Sequence, residues 1–558
     1  MVPPDDPQAA ALALARSGRF GDAIDLLDQA IASKPDDAGA LALKAGLQLQ
    51  QGDATAGLVS AQRALDADPS NSAAQAARAD ALHALGRREE ALAGYERALS
   101  LNPRHAAALV NRGNLLQELR RPAEALASYD LAIGVAPGLA QAHSNRARVL
   151  AELDRHAEAL EAAERALALN ANLASAWARR GDALMGLGRF EDALESHRTA
   201  FRLDPKAGWL MGMAAAQKAL GRYDEAIAAL DEAERLEPQS AQAAYERSMV
   251  RLLTGDFARG WPENEARWRT QLFNAASNGF VTPELIPRLT LHPSRDDLAG
   301  RSLLVVAEQG IGDQLMHASM LPDLLEDAAE VTWVCDRRLH GLLSASYPQV
   351  RLLDRRDEWL DPAGFERVLA AGSLGGAYRR STAEFPGEPF VAPRARVVQA
   401  WAERLGATSG ALRIGISWRG GTQRTGRNRR SMALDQLQPL LARPDCEFIS
   451  LQYGDVAEEL AGRNIRAFAP AEIDDFEQLA GLVANLDLVV SVQTALVHLC
   501  GALGKTCFAM VPVRPEWRYG AAGASMPWYR SVRIFRQAAS GAWDPVVAEV
   551  IGAVPKQA

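Results

Sequence analysis

A carboxylate and two glycines form the first candidate for chemistry in this chain. Residues 308–313 read EQGIGD and follow a β-branched run at 303–307. Gly310 and Gly312 allow a tight turn and the close approach of a ligand to the backbone. Asp313 either caps the helix that follows or accepts a proton from a hydroxyl nucleophile, and its spacing alone favours the cap. Leu315 occupies the place of the third glycine of a dinucleotide fingerprint, which disfavours a nicotinamide cofactor.

A second candidate follows the apolar run 488–491, where Gln493 and Thr494 precede a helix at 495–503. Thr494 and the free backbone N–H groups of the helix start suit a nucleotide phosphate. His498 lies one turn further on the same face and is either a ligand contact or a packed core histidine. His317 has the same relation to Asp313, which makes it a candidate acceptor contact and the next candidate for a base.

A third candidate is an arginine-rich loop after the run 413–418. Arginine side chains bind phosphates and carboxylates through paired hydrogen bonds, and this chain carries a formal charge of −8. The loop is therefore predicted to clamp an anion, although a solvated surface is the usual meaning of such a cluster. Its residues are Trp418, Arg419, Gly420, Gly421, Arg424, Arg427, Arg429 and Arg430, with no acidic residue before Asp435.

Short β-branched runs alternate with amphipathic helices from residue 302 onward. This alternation predicts parallel sheets with helices on both faces, in which ligands bind beyond the carboxyl ends of the strands. A proline-flanked segment at 386–393 divides the region into two Rossmann-like lobes at 301–394 and 395–558. The predicted strands lie at 303–307, 331–335, 350–353, 413–418, 447–451, 488–491 and 507–511.

A 34-residue period occupies the first part of the chain. Small residues and prolines recur once per unit. Two antiparallel helices need small residues where they cross closely and tolerate a proline after the second helix has ended, and residues 221–226 read GRYDEA. The pattern resembles the tetratricopeptide repeat (TPR), with about seven units in 1–255 and a capping helix and linker in 256–300. Such solenoids bind segments of other proteins on a concave surface. Asn111 and Asn145, one period apart, are candidate contacts for an acceptor protein. The periodic prolines are Pro35, Pro69, Pro103, Pro137, Pro205 and Pro238.

The bulk properties exclude several classes of function. The net negative charge and the absence of a basic, aromatic-rich motif argue against nucleic acid as a partner. No run of 18 apolar residues and no leader-like start occur, so a soluble, cytoplasmic protein without a membrane span is expected. The 4 cysteines show no metal-ligand spacing and are predicted to be small buried apolar residues.

Together the three candidates and the segments 450–452 and 528–537 resemble the heptosyltransferase-like GT-B glycosyltransferases fused to TPR arrays in bacteria. The resemblance implies an α-solenoid followed by a GT-B fold of two Rossmann-like lobes. It also implies metal-independent transfer without a cofactor, with the acceptor in the first lobe and a nucleotide sugar in the second. Asp313 matches the aspartate of the family's Gly-x-Gly-Asp turn, proposed there as general base, and Thr494 and His498 match its donor-site pair. Asp313 and His498 are therefore the expected catalytic residues. The donor contacts expected in this chain are Gly310, Gly312, Trp418, Arg419, Arg429, Arg430, Gln452, Gln493 and Thr494.

One departure concerns the donor sugar, because the family's Asp-Thr pair is Gln493-Thr494 here. A neutral amide tolerates a donor that carries its own carboxylate, since like charges in a closed cleft repel strongly. With the repeats, this feature resembles bacterial flagellin glycosyltransferases, which transfer pseudaminic-type nonulosonic acids to protein hydroxyls. A CMP-linked nonulosonic acid is therefore the candidate donor. The alternatives are a heptosyl or hexosyl transferase acting on a glycolipid and an adaptor whose transferase domain is degenerate. The retained Asp313, Thr494 and His498 argue against the adaptor, and the lack of a basic amphipathic helix argues against the glycolipid.

Overall fold

The computed structural model describes residues 6–270, 280–354, 361–407, 410–421, 427–539 and 541–556. Of the predicted arginine loop, Arg424 lies outside these residues and Arg427 is described only in its backbone. The chain forms two compact units, residues 1–216 and 217–558. No helix among the described residues is long and apolar enough to cross a bilayer.

The first unit is built from helical pairs that repeat with the predicted period. Asp37, Asp53 and Asn71 begin their helices by accepting a hydrogen bond from the backbone N–H three residues on. Small residues stand where helices cross, since a Cβ added at Gly113 would lie 2.6 Å from the Tyr129 ring. The helices are α1 (Pro7–Arg16), α2 (Phe20–Ser33), α3 (Ala38–Gln50), α4 (Ala54–Ala67), α5 (Ser72–Ala84), α6 (Arg88–Leu101), α7 (Ala106–Glu118), α8 (Pro122–Val135), α9 (Ala140–Glu152), α10 (His156–Leu169), α11 (Ala174–Gly186), α12 (Phe190–Leu203) and α13 (Ala207–Ala219).

The second unit begins with three more helices, α14 (Tyr223–Leu236), α15 (Ala241–Thr254) and α16 (Phe257–Asn264), followed by a 3-10 turn at Glu265–Arg269. The α15–α16 hairpin packs into the same apolar core as the sheets that follow. Trp261 of α16 is buried, its Nε1 donates to the Arg379 carbonyl at 2.8 Å, and a Cβ on Gly375 would lie 2.4 Å from its ring. The expected cap at 263–268 is thus part of a longer segment built into the α/β core.

A four-stranded parallel sheet follows, with the order β3-β2-β1-β4. The segment expected as a linker packs on its edge, where the Thr290 N–H donates to the Val368 carbonyl at 2.7 Å. The sequence pattern missed β4, because its four residues, RVLA, include a single β-branched side chain. The strands are β1 (Ser302–Val306), β2 (Glu330–Val334), β3 (Arg351–Leu353) and β4 (Arg367–Ala370).

The other sheet has the order β10-β11-β9-β8-β5-β6-β7 and is parallel except for the β10–β11 pair. The two-residue strands β7 and β10 are too short to show a pattern, and β11 was expected only as a motif. The strands are β5 (Leu412–Ser417), β6 (Cys446–Ser450), β7 (Ile465–Arg466), β8 (Leu488–Val492), β9 (Cys507–Val511), β10 (Ser525–Met526) and β11 (Tyr529–Arg536).

Helices of the second unit connect and cover these strands. The helix expected to follow Asp313 is interrupted by a 3-10 turn at Ala318–Met320, because Pro322 lacks the N–H that a continuous helix would use. The helices are α17 (Arg295–Leu298), α18 (Ile311–His317), α19 (Leu321–Asp327), α20 (His340–Ser346), α21 (Gly375–Tyr378), α22 (Ala395–Leu405), α23 (Arg427–Arg430), α24 (Gln438–Leu441), α25 (Ala457–Leu460), α26 (Pro470–Ile473), α27 (Phe476–Ala484), α28 (Ala495–Ala502) and α29 (Trp543–Ala553).

Each sheet contains one place where the chain reverses its direction of winding. In the first sheet the chain proceeds from β1 to β2 and β3, then returns to the other side of β1 as β4. In the second it proceeds from β5 to β6 and β7, then returns to the other side of β5 as β8. Ligands of such sheets bind in the crevice beyond the carboxyl ends of the two strands at this point. We call these places the first crevice (β1/β4) and the second crevice (β5/β8).

Candidate active site

The loops that follow β5 and β8 touch each other across the second crevice. A Cβ added at Gly420 would lie 2.5 Å from the Gln493 carbonyl oxygen, so only glycine permits this approach. Thr494 begins α28 as its N-cap, and its Oγ1 accepts from the Leu496 N–H at 3.2 Å. The Ser491 hydroxyl lies 3.1 Å from the same oxygen. Thr494 is therefore already engaged in holding the start of its own helix.

Gln493 is the unusual residue of this crevice. Its side chain is 3% exposed, yet neither its Nε2 nor its Oε1 has a hydrogen-bond partner among the described residues. Buried polar groups nearly always have partners, and an unmade hydrogen bond costs about 1–3 kcal/mol. An amide in this state is suited to a ligand that supplies the missing partner.

Four arginines lie at the carboxyl ends of β5 and β9, and we call Arg429, Arg430, Arg514 and Arg518 the arginine cluster. Burial, together with the neighbouring Arg518 guanidinium, lowers the pKa of Arg430 to about 10. Burial, with Arg429 beside it, also lowers the pKa of Arg514 to about 10. Burial is the main cause of both shifts and the neighbouring arginine adds to it, so an anion bound beside the cluster would stabilise the charged guanidinium groups.

Two carboxylates balance part of this charge. Arg430 pairs with Glu516, which follows β9, and Arg518 pairs with Asp313, which follows β1. The second pair links the carboxyl edges of the two sheets. The site therefore brings a carboxylate of the first lobe against the cationic edge of the second.

The turn after β1, residues 308–313, is called the β1 turn. The Gly310 N–H donates to Asp313 Oδ2 at 3.2 Å, so the Asp313 carboxylate caps the start of α18 as well as pairing with Arg518. A Cβ added at Gly312 would lie 3.2 Å from both the Ala495 Cα and the His498 Cδ2. Gly312 thus allows α18 and α28 to pack closely, which sets the separation of the two edges.

Both candidate histidines are buried beside this contact. His498 Nδ1 lies 3.1 Å from the Tyr529 hydroxyl, and burial, with the Arg518 charge, holds the pKa of His498 well below its ordinary value. Burial also lowers the pKa of His317 to about 3, and its Nδ1 has no hydrogen-bond partner among the described residues. Both imidazoles are therefore neutral near pH 7, and His498 is the packed side chain that the sequence left as an alternative.

Three of the predicted donor contacts, Trp418, Arg419 and Gln452, fix the start of the arginine loop. Trp418 is buried in the core of the second lobe, and its Nε1 donates to Glu459 at 2.7 Å. Arg419 pairs with the same carboxylate at 2.8 Å. Gln452 Oε1 accepts from the Trp418 and Arg419 N–H groups at 2.9 and 2.8 Å. These residues hold the loop in place through contacts with each other and with Glu459, while Arg419 Nε has no hydrogen-bond partner among the described residues.

Asn111 and Asn145 lie in the first unit and connect successive repeats. Asn111 Nδ2 donates to Asp80 Oδ1 at 2.8 Å, and Asn145 Nδ2 donates to Asn114 Oδ1 at 2.9 Å. The Asn145 oxygen also accepts from Gln141 at 2.9 Å. The two amides make equivalent contacts in successive units, so the structure places them in the packing between repeats.

Three residues of this site, Arg514, Glu516 and Arg518, were not predicted from the sequence. All three lie in the loop after the predicted strand 507–511. The rule that ligands bind beyond the carboxyl ends of parallel strands points to this loop as much as to the other turns. Positive and negative residues alternate along this loop, so the sequence shows no run of arginines there.

Comparison with known proteins identifies the repeats. A profile described as "Tetratricopeptide repeat" matches residues 9–72, 113–174 and 144–208. A profile described as "TPR repeat" matches 79–119, and a further tetratricopeptide profile matches 184–248. The predicted N-terminal TPR solenoid is therefore confirmed.

Among curated proteins, Protein FlbA of Caulobacter vibrioides is 28% identical over 340 residues, which are 56% of this chain and 55% of that protein. This chain thus spans about half the length of that relative. A solved tetratricopeptide repeat protein of Parabacteroides merdae is 20% identical, with 44% of this chain and 97% of that one covered and a TM-score of 0.35. Pseudomonas aeruginosa PilF is 25% identical, with 38% and 99% covered and a TM-score of 0.35.

Proposed function

We propose that this protein is a glycosyltransferase that moves a sugar from a nucleotide-sugar donor to a hydroxyl group of an acceptor protein. The observation that carries the proposal is the arginine cluster at the carboxyl edge of the second sheet, paired through Arg518 with Asp313 of the first. An arginine cluster suits the phosphates of a nucleotide. A carboxylate beside it suits the removal of a proton from an attacking hydroxyl. Two parallel-sheet lobes that meet at these edges are the arrangement expected of the GT-B fold.

The charges of the site support a simple order of events. When the donor binds, its phosphates give Arg518 and Arg430 new anionic partners, which frees Asp313 from its ion pair. The acceptor hydroxyl then attacks the anomeric carbon of the sugar while its proton passes to the Asp313 carboxylate. The bond between the anomeric carbon and the phosphate oxygen breaks, and the arginine cluster stabilises the negative charge on the departing nucleotide.

Gln493 supports a donor sugar with a carboxylate, such as a CMP-linked nonulosonic acid of the pseudaminic type. Its buried NH₂ group lacks an acceptor among the described residues. A sugar carboxylate would accept from this group without the repulsion that an aspartate at the same position would cause.

The TPR array supports a protein as the acceptor. Repeat solenoids expose long concave surfaces that bind peptide segments, and the repeats of this chain extend over several times the length of a single unit. With the transferase features, this arrangement resembles the flagellin glycosyltransferases, so we propose a flagellin whose serine or threonine hydroxyls receive the sugar.

Titration calorimetry of the full chain with CMP, UDP, GDP and ADP tests the first part of the proposal. One nucleotide should bind, with CMP expected, and its binding should weaken with salt. Transfer is then measured as the mass gained by flagellin incubated with the CMP-linked nonulosonic acid, with Asp313→Asn as the control that binds nucleotide but does not transfer. Absence of binding by all four nucleotides would remove the proposal.

A further inference from the structure

The first crevice is filled by a buried arginine that comes from outside the sheet. Arg267 lies on the 3-10 turn after α16, and its side chain is 1% exposed. Its Nε and Nη2 donate to the two oxygens of Glu308, each at 3.0 Å. Nη2 also donates to the Ser373 hydroxyl at 3.0 Å, and Nη1 donates to the Asn264 carbonyl at 3.1 Å and pairs with Glu265 at 3.0 Å.

Glu308 is the first residue of the β1 turn. Its Oε1 also accepts from the Gly372 N–H at 2.8 Å, and a Cβ added at Gly372 would lie 2.4 Å from that oxygen. The two oxygens of this carboxylate therefore accept three hydrogen bonds, two from Arg267 and one from Gly372. What these contacts determine is the position of the residue from which the turn begins.

The residue after Glu308 shows why the turn needs an anchor. Gln309 has φ 64°, a left-handed conformation that costs energy for a side chain other than glycine. Such a conformation persists only where its surroundings impose it. The β1 turn is held at its first residue by Arg267 and at its last by the pair between Asp313 and Arg518.

We propose that Arg267 is a positioning residue for sugar transfer, which fixes the β1 turn through Glu308 and thereby places Asp313 at the acceptor hydroxyl. The inference rests on the proposed function. A bidentate pair fixes orientation as well as distance. Buried ion pairs often add little net stability over apolar replacements, so the geometry of the turn is the stronger reason for the pair.

The test uses a double variant that removes both charges of the Arg267–Glu308 pair. All of its variants and their reference carry Glu265→Gln, because Glu265 is buried and also pairs with Arg267. Arg267→Met and Glu308→Met should each lower Tm strongly, because each strands an unpaired charge, whereas the double variant should regain most of the lost Tm. In the double variant kcat should nevertheless remain on the order of 10- to 100-fold below the reference, because a displaced base reacts slowly. The KM for the donor and the Kd for nucleotide should not change, since the arginine cluster is intact.

The matched control removes a partly buried pair of the same lobe, between Arg379 Nη2 and Asp323 Oδ2 at 2.7 Å, which does not touch the β1 turn. The double variant Arg379→Met/Asp323→Met should keep kcat near the reference. A kcat equal to the reference in Arg267→Met/Glu308→Met would overturn the inference, as would an equal loss in the control.

Hydrogen exchange separates this inference from the proposed function. The amides of residues 309–313 should exchange faster in Arg267→Met/Glu308→Met than in the reference or in the control double variant. If the wild-type protein transfers no sugar, the proposed function fails while faster exchange still supports the anchoring of the turn. Unchanged exchange would overturn the anchoring whatever the activity.

Discussion

The two crevices share one topology and differ in what occupies them. In the first, Arg267 and Glu308 satisfy each other, and the remaining donors and acceptors of the pair bond to neighbouring residues. In the second, the buried Gln493 amide has no hydrogen-bond partner among the described residues, and the arginine cluster places four guanidinium groups near two carboxylates. Strand order marks two places where a ligand could bind. The proposed donor site is the second, because its amide would gain a partner from a ligand and its arginines suit an anion.

The largest effect is expected from Asp313, the carboxylate of the first lobe that pairs with Arg518 of the second lobe. Asp313→Asn should lower kcat by on the order of 10² to 10⁴, the range of a lost general base, while nucleotide binding persists. Asparagine can still accept from the Gly310 N–H, so the fold should be retained. Steady-state transfer and calorimetry measure the two quantities. Asp323→Asn, in the same lobe, is the control, and near-normal turnover of Asp313→Asn would leave Asp313 as a cap and ion-pair partner only.

Gln493 tests what the second crevice recognises. Gln493→Asp would place two anions a few ångströms apart if the donor sugar carries a carboxylate, which costs on the order of 4 kcal/mol, or roughly a thousandfold in Kd. Binding of CMP alone should barely change, because its phosphate contacts the arginine cluster. Gln493→Asn is the matched neutral control. Equal losses for both ligands, or none, would favour a neutral hexose or heptose instead.

The arginine cluster tests whether charge in the second crevice contributes to nucleotide binding. Arg429→Ala/Arg430→Ala should weaken nucleotide binding by roughly 10- to 100-fold at low salt, since hydrogen bonds to charged groups contribute about 1.5–3 kcal/mol. The deficit should shrink as ionic strength rises and screens these charges. Arg396→Ala/Arg530→Ala removes the same charge from exposed positions of the same lobe and should have little effect. An unchanged Kd in the first variant would identify the cluster as solvated surface.

Thr494 is expected to show the smallest effect, because it already caps α28. Thr494→Ala should lower the free energy of unfolding by about 1 kcal/mol, and Thr494→Ser should restore it. The nucleotide Kd should change by less than about threefold, as a difference of about 0.6 kcal/mol allows. Chemical denaturation and calorimetry provide the values. A tenfold loss of affinity in Thr494→Ala would assign the hydroxyl to the phosphate site, as the sequence first suggested.

Several parts of the structure follow from local patterns alone. The 34-residue spacing identified the TPR solenoid because every unit repeats the same crossings of helices, and the spacing of small residues records them. The β-branched runs located β1, β2, β5, β6, β8 and β9 to within one residue, because short buried strands have a distinctive composition. The polar residues that follow these runs were visible for the same reason.

The tertiary structure decided which of those residues meet. Asp313 and Arg518 are 205 positions apart, and Arg267 and Glu308 are 41 apart, so no local spacing relates them. Their pairing depends on the order of the strands and on the packing of α18 against α28, as do the burial of Trp418 and the contact of His498 with Tyr529. The sequence by itself determined the repeats, most of the strands and the residues available for chemistry, because periodicity and turn preferences act over a few neighbours. Whether Glu308 and Gln493 have hydrogen-bond partners was decided only when distant segments packed together, because the partners of a buried polar group come from wherever the fold places them.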